Sequence, residues 1–217
     1  MKVIVLLGAP GSGKGTIAAR LSRSHPALRH VSSGDLLRAA MRQDGTPAER
    51  AAAAAMRQGE LVADETVGAL VNARLRQCAP GEILMLDGYP RNARQAVALE
   101  AEAARTGTAV AAAVWLEVPE AVLVGRLAGR RVCGACAANY HVSNMPPRVA
   151  GICDACGAAL VQREDDRPER VARRLAVYRE QTAALIEWYA ERGLLVRIDA
   201  DGDADESAAR VARAVLE

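Results

Sequence analysis

The sequence predicts an α/β fold in which a parallel β-sheet is flanked by helices. Short apolar runs alternate with longer segments of helical periodicity, and the runs that end near Gly8, Asp87 and Glu117 are almost wholly apolar. Strands that are buried on both faces of a parallel sheet have this composition. Five strands are expected, at Val3–Leu7, Leu28–Ser32, Glu82–Leu86, Val110–Leu116 and Leu194–Ile198. In such a fold, ligands bind at the carboxyl ends of the strands.

Helices are expected between these strands. One begins at Gly13 to Gly15, another has Asp64 as its N-cap and Glu65 in its first turn, and Pro119 suits the first turn of a third. A long helix that ends near Gly193 is predicted from apolar residues at helical spacing. These residues are Val171, Leu175, Tyr178, Leu185 and Trp188.

Two segments interrupt the alternation of strands and helices. Residues 33–62 have only helical patterns, and residues 130–162 are rich in Gly, Pro and Cys with few helix signals. Both are interpreted as insertions that fold over the ligand-binding edge of the sheet.

Composition excludes several classes of protein. The chain has 217 residues, of which 51% are hydrophobic, and its 28 basic and 26 acidic residues give a formal charge of +2. Nucleic-acid binding usually needs a larger basic excess, so nucleic acid is not an expected partner. A membrane span needs about 18 consecutive apolar residues, and the sequence has no such stretch. The apolar start is too short for a signal peptide. Paired cysteines favour metal binding in a reducing compartment, so the cytoplasm is the expected location.

A glycine-rich loop follows the first predicted strand. Residues 8–16 read Gly-Ala-Pro-Gly-Ser-Gly-Lys-Gly-Thr, and residues 8–14 fit the phosphate-loop pattern G-x-x-x-x-G-K. Successive backbone N–H groups and the following helix N-terminus would bind phosphate, and Lys14 would reach the β- and γ-phosphates. A glycine turn without a ligand is the alternative. A switch GTPase is disfavoured because its Asn-Lys-x-Asp motif needs a lysine, and Lys2 is the only other one.

An acidic residue follows the third predicted strand. Asp87 at this position could coordinate Mg²⁺ directly or through water, and Arg91 could bind a phosphate at the same edge of the sheet. The alternative for Asp87 is a helix cap or a turn.

Four of the five cysteines form two Cys-x-x-Cys pairs, Cys133/Cys136 and Cys153/Cys156, separated by 16 residues. This spacing favours a tetrahedral zinc site, and disulfides or incidental thiols are the alternatives. With four protein ligands, no coordination position remains for catalysis, so the zinc would be structural. Gly134 and Gly157 suit the tight turns that such cysteine pairs form. Cys78 stands apart and is interpreted as a buried or idle thiol.

Several motifs together resemble the bacterial adenylate kinase family. Besides the phosphate loop, they are Ser32-Ser33-Gly34-Asp35-Leu36-Leu37-Arg38, Gly59-Glu60-Leu61-Val62, Asp87-Gly88-Tyr89-Pro90-Arg91, Gly129-Arg130-Arg131 and Arg163-Glu164-Asp165-Asp166. They occur in family order along nearly the whole chain. Two departures keep the chemical character of the family residue, since Ser33 replaces threonine and Tyr89 replaces phenylalanine.

The resemblance implies a P-loop kinase fold and reversible, Mg²⁺-dependent phosphoryl transfer from ATP to AMP. It divides the chain into a core (residues 1–31, 63–128 and 167–217), a monophosphate-binding insertion (32–62) and a lid (129–166). Family members of this kind suggest a monomer, with ATP, AMP and ADP as ligands and structural zinc in the lid.

The resemblance also assigns residues to each ligand. For ATP they are Gly11, Ser12, Gly13, Lys14, Gly15, Thr16, Arg126, Arg130, Tyr140 and Gly202. For AMP they are Ser33, Arg38, Leu61, Val62, Gly88, Arg91, Gln95, Arg163 and Arg174, with Gln95 reading the adenine. Catalytic charge would come from Lys14, Arg91, Arg130, Arg163 and Arg174. Residues 199–203 align poorly, which leaves the role of Gly202 open, and Tyr140 and His141 are assigned to lid packing or ATP contact.

Three alternatives remain at this point. A related kinase could act on UMP, CMP or GMP, or use GTP as the donor. The cysteine segment could be a nucleic-acid-binding zinc ribbon attached to an ATPase. The chain could also bind a nucleotide without catalysis, although Lys14, Asp87 and Arg91 are all present.

Overall fold

The structure, a computed structural model, describes residues 1–40, 47–58 and 60–217. Within these residues, five parallel strands form a sheet in the order β2-β3-β1-β4-β8. The strands are β1 Lys2–Leu7, β2 Leu28–Ser32, β3 Ile83–Asp87, β4 Val110–Glu117 and β8 Leu195–Asp199. All five predicted strands are therefore confirmed to within one residue at each end. In this order, β2 and β3 lie on one side of β1, and β4 and β8 lie on the other side. A ligand cleft is expected beside β1, where the order of the strands switches sides.

Strand β1 shows why the sheet is apolar on both faces. Val3, Val5 and Leu7 pack into a core with helices that cover one face of the sheet. Ile4 and Leu6 pack into a second core on the opposite face. All five side chains are at most 2% exposed, so a continuous apolar run is required.

The helices of the described residues are α1 Lys14–Ser24, α2 Ser33–Ala40, α3 Pro47–Gln58, α4 Asp64–Arg76, α5 Ala93–Arg105, α6 Glu120–Gly129, α7 Pro168–Val177, α8 Ala184–Ala190 and α9 Ala204–Val215. A 3₁₀ turn at Glu164–Asp166 precedes α7. Helices α2 and α3 form the expected helical insertion. Residues 41–46 and Gly59 lie outside the described residues. None of the helices in the described ranges has the length and apolarity needed to cross a bilayer.

Three details of the predicted helices are wrong. Asp64 is the first residue of α4 and not its N-cap, which is Ala63, because the Asp64 carboxylate bonds to side chains near α5. Pro119 is the N-cap of α6 and lies one residue before its first turn. The long helix that was expected to end near Gly193 is interrupted at Tyr178–Thr182 by a π-helical turn.

Residues that follow α6 form a second, smaller sheet. Its strands are β5 Arg130–Cys133, β6 Asn139–His141 and β7 Leu160–Val161, which are antiparallel in the order β6-β5-β7. Strand β5 begins at the residue after α6 ends. The Gly, Pro and Cys content of this segment is accounted for by tight turns between very short strands.

Candidate active site

A cavity of about 580 Å³ lies at the carboxyl end of the main sheet. The phosphate loop, the ends of β2 and β3, the helical insertion and the small sheet all contribute to its walls. The basic side chains that line it in the described parts of the chain are Lys14, Arg20, Arg38, Arg91, Arg126, Arg130, Arg163 and Arg174. So many cations around one space favour a polyanionic ligand.

The phosphate loop has the backbone conformation that its glycines predict. Gly8, Gly11 and Gly13 have φ values of 145°, 87° and 92°. A Cβ atom at Gly8 would also lie 2.6 Å from the Ser12 hydroxyl, so a larger residue would not fit. Gly13 caps α1 without a side-chain hydrogen bond, and the first turn of α1 has no acidic residue. The helix N-terminus is therefore suited to an anion.

Lys14 is folded back onto this loop. Its Nζ donates hydrogen bonds to the carbonyl oxygens of Gly8 at 2.7 Å and Ala9 at 3.0 Å. Burial lowers the pKa of Lys14 from 10.5 to about 8, although the charge of Asp87 opposes the change and that of Arg91 adds to it. A bound phosphate would therefore stabilise the charged form of Lys14.

Asp87 ends β3 and faces the same loop. Burial alone would raise the pKa of Asp87, but the contact with His30 and the charge of Lys14 outweigh burial and lower it. The His30 Nε2 atom lies 3.5 Å from Asp87 Oδ2. No sequence motif indicates this contact between His30 and Asp87. The pairing of β2 with β3 places His30 and Asp87 at the same edge of the sheet. The sequence alone does not show that these two strands are neighbours.

The turn after β3 organises the monophosphate side. Both the Ser33 hydroxyl and Arg91 Nε donate hydrogen bonds to the carbonyl oxygen of Gly88, each at 2.8 Å. Gly88 has φ 77°, and a Cβ atom there would lie 2.8 Å from the Ser33 hydroxyl. Burial, together with the charge of Arg174, lowers the pKa of Arg91. Leu61 and Val62 line the same cavity.

Three further arginines line the cavity: Arg130 of β5, Arg163 just before the 3₁₀ turn, and Arg174 of α7. Asp166 is fully buried and binds two of them, with 2.5 Å to Arg130 Nη2 and 2.9 Å to Arg174 Nη1. Burial and the nearby charges of Arg130 and Arg38 lower the pKa of Arg163 to about 10. Sequence reasoning had included Asp166 in a motif without giving it a role, and the structure shows that it holds these arginines in place.

Arg126 connects α6 with the loop after β8. Its guanidinium donates hydrogen bonds to the carbonyl oxygens of Ala200 at 2.9 Å and Asp201 at 2.8 Å. Gly202 is the next residue along this loop, and its carbonyl oxygen lies 3.4 Å from Arg126 Nη2. The structure thus brings Arg126 and Gly202 together at one wall of the cavity, although the sequence alignment with the family is poor there.

Comparison with known proteins identifies the family of the chain. The family model for adenylate kinase matches residues 6–194. The chain is 45% identical to an adenylate kinase of Symbiobacterium thermophilum over 98% of this chain and 97% of that protein. It is 48% identical to one from Moorella thermoacetica over 90% and 89% of the two chains, and 44% identical to one from Carboxydothermus hydrogenoformans over 98% of each. The chain belongs to the adenylate kinase family. Its function is that of an adenylate kinase, a nucleoside monophosphate kinase, and its fold is the P-loop kinase fold.

In this adenylate kinase the four paired cysteines converge. Their Sγ atoms all lie within 4.8 Å of one another, with 3.4 Å between Cys133 and Cys156 and 3.5 Å between Cys136 and Cys153. Zinc–sulfur bonds of about 2.3 Å in a tetrahedron place sulfur atoms about 3.8 Å apart, so the cluster is compatible with zinc. A hydrogen bond from Tyr140 lowers the pKa of Cys153 to about 6, whereas contacts with the other cysteines raise the pKa of Cys136 and Cys156. A bound metal ion would favour the thiolate form of all four.

Both glycines lie at the cysteine turns, as predicted. Gly134 lies in the turn between Cys133 and Cys136. Gly157 directly follows the second pair with φ 74°, and Ala137 has the equivalent position and conformation after the first pair, with φ 61°. The Tyr140 hydroxyl accepts a hydrogen bond from the Asp154 backbone N–H at 2.8 Å, so this atom takes part in lid packing.

The pKa of Lys14 makes nucleotide binding by this adenylate kinase dependent on pH. Since the folded value of about 8 lies below the ordinary 10.5, the charged form is present below pH 8 and is lost as the pH rises through 8. The affinity for ADP without Mg²⁺ is expected to fall roughly tenfold between pH 7.5 and pH 9. Isothermal titration at several pH values measures this change. A constant affinity over that interval would contradict the assigned role of Lys14.

Proposed function

We propose that this chain transfers the γ-phosphoryl group of ATP reversibly to AMP, with Mg²⁺, to give two ADP. The observation that supports this most directly is the ring of basic side chains around one cavity, with the phosphate loop on one side and the Ser33–Gly88 turn on the other. Two anionic ligands can meet there, whereas a simple NTPase needs only the first side.

On the ATP side, the backbone of residues 11–16 would surround the β- and γ-phosphates. Lys14 would leave its carbonyl partners for the phosphate oxygens. Arg126 and the loop at Gly202 form the wall next to the donor nucleotide, where they would contact the base. Tyr140 lines the cavity. Its hydroxyl is already hydrogen-bonded to the Asp154 backbone N–H, so Tyr140 would contact ATP through its aromatic ring.

On the AMP side, Arg38 and Arg91 would bind the α-phosphate and Leu61 and Val62 would pack against the base. Ser33 and Gly88 shape the turn between them. Gln95 lines the cavity and would hydrogen-bond to the adenine.

Catalysis would come from positioning and positive charge, without a nucleophilic side chain. Developing charge on the transferred group would be met by five cations: Lys14, Arg91, Arg130, Arg163 and Arg174. Asp87 is buried beside Lys14 and fits the role of holding Mg²⁺ through water or directly, and the ion would neutralise charge on the bridging phosphates. A lid and insertion that enclose the cavity would exclude water and limit ATP hydrolysis.

Three further assignments belong to this proposal. The insertion at residues 32–62 and the lid at 129–166 would be separate units on the core, which the separate small sheet supports. The bound lid metal would be Zn²⁺. The protein would act as a monomer in the cytoplasm, since one chain supplies all the named cations and its five cysteines are free.

A product assay tests the proposal. Purified protein is incubated with Mg²⁺, ATP and each nucleoside monophosphate in turn, and ADP is quantified. Two ADP per ATP consumed, formed with AMP and not with UMP, CMP or GMP, is the expected result. ADP from ATP alone would indicate an ATPase, and equal turnover of UMP would contradict the assignment of AMP.

A further inference from the structure

Gln95 is held at both ends of its side-chain amide. Its Oε1 accepts a hydrogen bond from the backbone N–H of Arg91 at 2.8 Å, and its Nε2 donates one to Asp64 Oδ1 at 2.7 Å. Asn92 donates to the same carboxylate oxygen at 3.0 Å, and the Arg94 guanidinium lies 2.9 Å from Oδ2. Gln95 is only 2% exposed, yet it lines the cavity. Its side chain therefore has little freedom to move.

The two partners also fix which way round the amide lies. A backbone N–H can only donate a hydrogen bond, and a carboxylate can only accept one. A reversed amide would set two donors against each other at Arg91 and two acceptors against each other at Asp64, both at partly buried contacts. Asn92 cannot relieve this conflict, because its Oδ1 already accepts from the Gln95 backbone N–H at 2.9 Å. Only one orientation satisfies every group.

This orientation determines what Gln95 offers to a base. After its protein contacts, Oε1 keeps one acceptor position and Nε2 keeps one donor hydrogen. Adenine presents an amino donor at N6 beside a ring-nitrogen acceptor, which matches that pair. Hypoxanthine and guanine present an oxygen at position 6 beside an N1–H, which is the reverse pattern. A glutamine that was free to turn over could bind either kind of base.

We propose that Asp64 is a positioning residue that fixes the orientation of the Gln95 amide and so sets the preference of the monophosphate site for adenine over 6-oxopurines. This inference rests on the proposed function, because it requires Gln95 to contact the base of AMP. It adds a residue that does not touch the substrate and acts only through Gln95.

The variant Asp64→Asn tests the inference. Asparagine keeps the shape of aspartate, but it can present either an oxygen or an N–H to Gln95. The conflict at position 64 is then removed, and only the conflict with the Arg91 backbone N–H still opposes the reversed amide. The KM for AMP is expected to rise about tenfold, and the ratio of kcat/KM for AMP to that for IMP to fall by about the same factor. The KM for ATP and kcat should stay within about twofold. Steady-state kinetics with AMP and IMP measure all four quantities.

Two further variants separate positioning from general destabilisation. Glu65→Gln removes the same charge from the same helical turn at an exposed side chain, and it should change the AMP/IMP ratio less than about twofold. Gln95→Ala removes the group through which Asp64 acts. In that background, Asp64→Asn should cause no additional rise in the KM for AMP, whereas a purely structural effect would add to it.

The outcomes distinguish the inference from the proposed function. If Gln95→Ala leaves the KM for AMP unchanged, the proposed base contact is wrong and the inference fails with it. If Gln95→Ala raises this KM but Asp64→Asn behaves like Glu65→Gln, only the inference is overturned. Additive effects in the double variant would also overturn it. The AMP/IMP ratio is independent of the folded fraction, and Asp64→Ser serves the same test if Asp64→Asn does not fold.

Discussion

Replacing Lys14 with methionine is expected to lower kcat by about a thousandfold. The Lys14 ammonium is buried beside the phosphate loop, and methionine fills similar space without charge or donors. The loss of a preorganised charge at the transferred group has an effect of about this size. Steady-state rates of ADP formation at saturating ATP and AMP measure it.

The chain supplies a matched control for this experiment. Lys2, the only other lysine, is exposed at the start of β1, so Lys2→Met makes the same chemical change far from the phosphate loop. Its kcat should stay within about twofold of the unmodified protein. The melting temperature of Lys14→Met should not fall, because the buried ammonium is unfavourably solvated. Retained activity in Lys14→Met would contradict the catalytic role assigned to this residue.

Loss of the zinc proposed for the lid is the second change with a large expected effect. Cys153→Ser, or removal of metal by a chelator, is expected to lower the melting temperature by about 10 °C, since a bound structural metal stabilises the fold that carries its ligands. Increased hydrogen exchange should be confined largely to residues 130–161. Binding of ADP to the phosphate loop should persist, because the cysteines lie in the small sheet.

Cys78→Ser is the matched control for the lid. It makes the same substitution at a half-buried thiol outside the cluster, so neither the metal content nor exchange in the lid should change. Metal analysis of the purified protein should give one zinc per chain, and less than one per chain in Cys153→Ser. An unchanged melting temperature after complete metal removal would contradict a structural zinc.

The main sheet was predictable because its signal is local. The central strands β3, β1 and β4 are largely apolar runs, and burial on both faces requires such runs. The edge strands β2 and β8 are less buried and include charged residues. Helix ends were less predictable, because a cap depends on what else binds the capping side chain. Asp64 resembled an N-cap in sequence, but its carboxylate bonds to Gln95, which lies 31 positions later in the chain. The interruption at Tyr178–Thr182 was hidden, since one π-helical turn preserves an approximately helical apolar pattern.

The candidate site was predictable where motifs carry it. Phosphate-loop glycines and paired cysteines have spacings that follow from backbone and metal geometry, and both groups lie as expected. Contacts between motifs required the tertiary structure. The pairing of Asp166 with Arg130, the approach of His30 to Asp87 and the hydrogen bond from Arg126 to Ala200 each join separate segments. The spacing of residues within one segment cannot predict these contacts between segments.

The direct junction between α6 and β5 has a consequence for how the lid can move. Helix α6 ends at Gly129 and β5 begins at Arg130, so no connecting loop separates them. A Cβ atom at Gly129 would lie 2.3 Å from His141 Nε2, which shows how tightly β6 covers this joint. Leu123 and Leu127 of α6 are buried against Ala9 of the phosphate loop. The position of the lid is therefore set directly by a helix that is anchored beside the phosphate loop, without a flexible linker between them.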